Sequence, residues 1–236
     1  MVNQIMDFEF QNNCVDFLLD KSIDSASKQV ITIKAPTGAG KTVILVKYVD
    51  EYLKNTNGKT AFVWLCPGKG DLEQQSKDKM DKLTPQRDTR SLLYSMLMGF
   101  ESESVTFINW ELVTKKGNNA LQEGEKANLF EMIAAAHKDG IEFIVIIDEE
   151  HMNNTKKADN IINAFAAKNI IRVSATAKKV PHHEFYEIPE DEVINAGLIT
   201  RAIYVNEGVD EKREYTDEDD YSYLLRLPIP EMGFAP

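Results

Sequence analysis

Cysteine is almost missing from this chain of 236 residues, which carries only Cys14 and Cys66. Two thiols are too few for a disulfide framework or a four-ligand zinc site, and Cys66 ends an apolar strand pattern, so both are expected as buried free thiols. Long hydrophobic runs are missing too. The apolar stretches fall far short of the roughly 20 residues that span a bilayer, and the opening residues MVNQIMDFEFQNN show no basic segment followed by an apolar one. No membrane role is expected, and the chain reads as cytoplasmic. Positive charge is scarce: 27 Lys and Arg stand against 38 Asp and Glu, a net charge of -11. Such a surface does not coat nucleic acid by bulk attraction, because non-specific affinity comes from cations that neutralise phosphates. Any nucleic-acid contact has to be local.

What is present is ordinary globular composition, 43% hydrophobic and 28% charged, which excludes a disordered or fibrous chain. Short apolar runs alternate with longer amphipathic ones. Strands are expected at Val30 to Ala35, Thr60 to Cys66, Val105 to Asn109, Phe143 to Ile147, Ile170 to Val173 and Arg201 to Val205. Helices are expected at Lys41 to Leu53, Asp71 to Leu83, Glu125 to His137 and Lys156 to Ala167. This alternation predicts an α/β domain, a mostly parallel sheet with helices on both faces, over residues 1–205. The acidic run NEGVDEKREYTDEDD from Asn206 opens residues 206–236, read as a connector or the start of a further domain. KKGNNALQEGEK reads as a surface loop before a helix, and no internal repeat or low-complexity tract occurs.

A sheet of this kind holds its ligands beyond the carboxyl ends of its strands. After VITIK the chain reads APTGAGKT, from Ala35 to Thr42. Gly38 and Gly40 allow a tight turn whose amides face outward, with Pro36, Thr37 and Ala39 completing the loop. Lys41 can reach terminal phosphates, and the Thr42 hydroxyl can ligate magnesium at a helix start that favours anions. This is the logic of a phosphate loop for a nucleoside triphosphate, although Ala35 stands where the full signature has Gly. A second strand, FIVII, ends in Asp148, Glu149, Glu150 and His151. Splitting a phosphoanhydride needs one carboxylate for the metal and another for the attacking water, roles that suit Asp148 and Glu149 respectively. A third strand, IRV, ends in Ser174-Ala175-Thr176. His137, His151, His182 and His183 have no metal-site spacing, and no zinc is assigned.

In this order the A-x-x-G-x-G-K-T, D-E-E-H and S-A-T elements resemble motifs I, II and III of superfamily two helicases and translocases. VWLCPGKGDLEQQ and VTFINWELV are similar in wording to the type III restriction enzyme Res subunits. That resemblance implies a RecA-like domain that binds ATP and Mg2+. It implies that His151, Ser174 and Thr176 couple nucleotide state to nucleic acid. FEFQ resembles the family's adenine-reading segment, with Gln11 on the adenine edge; a polar residue starting a helix is the other reading of Gln11. Pro67, Gly68, Lys69, Asn109 and Trp110 are implied as contacts to DNA, while Trp110 can equally be a packing residue. RNA stays open, because the motifs touch backbone.

In the family two RecA-like domains face each other across the nucleotide, and the second supplies arginines. Here the stretch from Arg201 onward adds only Arg213 and Arg226, with no Q-x-x-G-R-x-x-R pattern. The expectation is an ATP-hydrolysing motor domain, slow alone, that needs a second domain in cis or in trans, with a modification or specificity subunit as a further partner. YEIPEDEVINAGLITRAIYV resembles the family's exit from the first domain. The alternative is a nucleotide-dependent regulatory or nucleic-acid-binding module without turnover.

Overall fold

The computed structural model describes residues 7–23, 27–67, 71–109, 123–148 and 156–199. Its elements run α1 (Glu9–Ile23), β1 (Gln29–Lys34), α2 (Lys41–Asn55), β2 (Thr60–Cys66), α3 (Leu72–Leu83), β3 (Asp88–Ser91), α4 (Leu92–Met98), β4 (Ser104–Asn109), α5 (Glu123–Lys138), β5 (Glu142–Asp148), α6 (Lys156–Ala164), β6 (Asn169–Ser174), β7 (Glu184–Glu187) and α7 (Glu190–Asn195). The seven strands form one sheet in the order β3-β4-β2-β5-β6-β1-β7, and every neighbouring pair is parallel.

Strand β2 lies in the middle and all seven of its residues are buried, which is why TAFVWLC reads as a continuous apolar run instead of an alternation. Its pleat still divides the core. Phe62, Trp64 and Cys66 face the layer of α1, α2 and α3, packing with Ile144, Ile146, Leu45 and Tyr48. Ala61, Val63 and Leu65 face the other layer, with Phe143, Val145, Ile133 and Phe165. Helix α1 docks through Phe10, Cys14, Val15 and Leu18, a stripe at helical spacing. Cys14 and Cys66 are buried free thiols, as expected; burial pushes the Cys14 thiol up to about 12 and raises Cys66 as well.

Several elements differ from the sequence expectation. DTRS forms an edge strand, β3, although it has no apolar residue. Its Arg90 is only 6% exposed and is matched by Asp88 and Glu101, so pairing with β4 and a compensated charge replace hydrophobic burial. Helix α4 follows at once, capped by the Ser91 hydroxyl, which accepts from the Tyr94 amide at 3.3 Å. Asp71 takes a positive φ of 54°, so α3 starts one residue later than expected. Ala166 at φ 44° ends α6 before Ala167. The sheet gains β7 beside β1. Within YEIPEDEVINAGLITRAIYV the chain forms the short helix α7, while the expected strand Arg201 to Val205 and the segment 206–236 lie outside the described residues. No described helix is long and apolar enough to cross a membrane.

Candidate nucleotide site

Strand register gathers the expected functional residues at one edge of the sheet. Lys34 pairs with Ser174, Asp148 with Val173, Leu65 with Ile147 and Cys66 with Asn109. The carboxyl ends of β1, β6, β5, β2 and β4 therefore finish level with one another. The Ala35 amide donates to the Ser174 carbonyl at 3.1 Å, which extends the β1–β6 ladder into the start of the loop. Asp148, Asn109 and Lys41 are half-buried there, and each already has a partner in the protein.

From Ala35 to Thr42 the backbone takes positive φ only at Gly38, 91°, and Gly40, 78°. Ala35 is fully buried and needs no such conformation, so Ala in place of Gly at the first position carries no backbone penalty. The two glycines are held closely. A Cβ on Gly40 would lie 2.7 Å from Gln11 Nε2, and one on Gly38 would lie 2.4 Å from Ile199 Cγ2. Gln11 Nε2 donates to the Ala39 carbonyl at 3.0 Å, and its Oε1 is buried with no hydrogen-bond partner among the described residues. Gly40 then opens α2, accepting from the Val43 and Ile44 amides at 2.8 and 3.1 Å. No side chain caps this helix start, and its first turn has no acidic residue, which leaves amides and the positive end of the helix dipole facing outward.

A cleft of about 270 Å3 lies in front of this turn, lined by Lys41, Thr42 and Asp148 together with Pro67 and, from α3, Leu72, Gln75, Ser76 and Lys79. A hydroxyl, a carboxylate and a lysine thus share one concave surface. Hard oxygen donors of this kind suit a magnesium ion, which keeps several waters and needs few protein ligands. The α3 residues were not singled out in the sequence, although their spacing straight after a strand end carried the signal. Pro67, expected at a DNA contact, is buried and faces this cleft. The Ser174 and Thr176 hydroxyls lie 3.3 Å apart beside the site, and the Thr176 amide donates to Ser174 Oγ at 3.2 Å. Glu149, Glu150, His151, Gly68, Lys69 and Trp110 lie outside the described residues.

Comparison with known proteins agrees with this arrangement. Among curated proteins nothing matches the chain. Among solved structures, a nuclease-deletion mutant of the Type ISP restriction-modification enzyme LlaGI, in complex with a DNA substrate mimic, is similar at TM-score 0.53 and 15% identity, over 83% of this chain and 21% of that one. The Sulfolobus solfataricus SWI2/SNF2 ATPase core in complex with dsDNA is similar at TM-score 0.51 and 12% identity, over 72% of this chain and 32% of that one. The chain thus spans well under two thirds of either neighbour, and at these identities the likeness speaks to fold: a RecA-like core. The sequence model of the family described as type III restriction enzyme, res subunit, matches residues 4–179. The chain belongs to that family, whose members are helicase-like ATPases.

Proposed function

We propose that this chain is an ATP-binding and ATP-hydrolysing motor domain acting on DNA. The observation that carries the reading is the uncapped start of α2 sharing one cleft with Thr42 and Asp148. The loop amides of residues 37–40 cradle the phosphates, Lys41 offers a point charge to the terminal phosphates, and Gln11 reads the adenine edge. Thr42 and Asp148 would hold Mg2+. Bound there, the ion supplies charge neutralisation on the phosphate oxygens. Glu149 orients the attacking water and takes its proton, which makes it the residue whose loss stops chemistry and spares binding.

His151, Ser174 and Thr176 link the nucleotide to DNA held by residues 67–69, 109 and 110. The Ser174–Thr176 hydroxyl pair supports this link, since it sits where β6 meets the start of the phosphate loop. Turnover needs charge stabilisation from a second RecA-like domain, in cis or in trans, and is slow without it. A modification or specificity subunit and an RNA track belong to the same proposal as variants of partner.

Steady-state ATP hydrolysis with and without duplex DNA tests the reading. Binding of ATP with Mg2+ and slow turnover are expected. Vigorous DNA-stimulated turnover by this chain alone would show that no outside arginine is needed, and absence of nucleotide binding would sink the reading as a whole.

A further inference from the structure

Helix α3 turns an unusual face toward the phosphate cleft. Leu72, Gln75, Ser76 and Lys79, spaced i, i+3, i+4 and i+7, all line it, so one continuous side of the helix looks at Lys41, Thr42 and Asp148. That spacing normally marks an apolar stripe buried in a core. Here the core contact comes from Ser76 and Met80, which are buried, while Gln75 and Lys79 stay exposed in the cleft.

Elsewhere on α3, Lys77 pairs with Asp81 at 2.7 Å and Gln74 donates to Asp78 at 2.6 Å. Lys79 has no acidic partner among the described residues. Among the described residues lining the cleft it stands with Lys41 and Asp148, so α3 adds a second lysine to the surface that faces the loop. A nucleoside triphosphate carries more negative charge than a diphosphate, and the extra charge sits at the end of the chain, beyond the phosphates held by the loop.

We propose that Lys79 is a terminal-phosphate-reading residue, a second cation that gives this site its preference for nucleoside triphosphate over diphosphate. The inference rests on the nucleotide reading above and adds a residue to it from outside the phosphate loop. It also gives the domain a triphosphate-sensing cation of its own, placed on the helix that follows residues 67–69. A flexible ammonium suits this task, because it can follow the terminal phosphate without the fixed fork of a guanidinium.

The test is equilibrium titration of the full chain, with magnesium, using fluorescent ADP and a fluorescent non-hydrolysable ATP analogue. The variants are Lys79→Met, Lys79→Arg and, as a control for general loss of charge, Lys82→Met, an exposed lysine on the same helix that does not line the cleft. Lys79→Met should weaken the triphosphate analogue about ten-fold and leave ADP within about two-fold, the size expected for one charge-assisted contact at a partly solvated site. Lys79→Arg should recover most of the loss, and Lys82→Met should resemble the parent. An equal loss for both nucleotides, an equal effect of Lys82→Met, or a loss confined to DNA affinity would overturn the assignment while leaving the nucleotide reading intact. If the parent chain binds neither nucleotide, both readings fall. Thermal melting of each variant without nucleotide should match the parent, because the side chain is exposed.

Discussion

Gln11 Nε2 donates a 3.0 Å hydrogen bond to the carbonyl of Ala39, linking the first helix to the loop before α2 across 28 positions of sequence. The amide lies under Gly40, and Gln11 itself is only 3% exposed. Gln11→Ala should lower stability by about 1 kcal/mol, the usual net worth of a buried hydrogen bond, which is a fall of roughly 2–4 °C in melting temperature for a domain of this size. Gly40→Ala should cost about 1–2 kcal/mol through its positive φ and the approach to Gln11. The double variant should cost less than the sum of the two, because removing Gln11 relieves the approach while the backbone strain stays. Thermal melts of the four proteins measure this coupling, and strict additivity would mean that the two residues do not touch in solution.

Gly38 and Ile199 form a second contact, one that brings the segment after α7 onto the same loop. Gly38→Ala should destabilise by about 2–3 kcal/mol, since it meets both an unfavourable φ and a packed side chain. Adding Ile199→Ala should return part of that loss. No recovery in a denaturant titration would assign the whole penalty to the backbone.

Lys41→Ala is expected to weaken triphosphate binding by at least about ten-fold, the loss of a charge-assisted contact to phosphate. Glu149→Gln is expected to leave binding within about two-fold and to cut hydrolysis by about 100-fold or more, as removal of a general base does. Nucleotide titration followed by phosphate-release kinetics separates the two effects. Equal losses of binding in both variants would remove Glu149 from the chemical step.

Asp50 on α2 receives Lys54 at 2.7 Å, Arg87 Nε at 2.7 Å and Gln86 at 3.1 Å, which ties α2 to the chain entering β3. Burial works to raise its carboxyl, but the bonds from Lys54 and Arg87 outweigh it and hold the group below its ordinary value of 3.8. A depressed folded value means the contribution is complete above the ordinary value and is lost as pH falls through the folded one. Asp50→Asn should therefore cost about 1–3 kcal/mol at neutral pH, and the gap from the parent should close below about pH 4. Urea midpoints across that range test the sign; a gap that widens in acid would contradict it.

The parts of the fold legible in the sequence are those whose burial leaves a pattern. Strands β2 and β5 lie between two helical layers, so TAFVWLC and FIVII had to be apolar on both faces. The loop from Ala35 to Thr42 was legible because glycine takes the positive φ at Gly38 and Gly40 without the strain a side chain adds. Strand β3 left no such trace, since Arg90 is buried by pairing its charge with Asp88 and Glu101. Strand β7, EFYE, is a half-buried edge strand whose pairing with β1 depends on a partner more than a hundred residues earlier.

By itself, then, the sequence determined the residue types and their order: glycines where the backbone must turn, hydroxyls and carboxylates at strand ends, and apolar runs long enough for a sheet buried on both sides. Which of these groups meet was decided by tertiary structure. Register brings the ends of β1, β5 and β6 to one edge, α1 returns to set Gln11 under Ala39, and α3 turns Lys79 toward Lys41 and Asp148. Local pattern records how a residue is buried, whereas proximity between segments comes from the order of strands in the sheet, which no single stretch of chain carries.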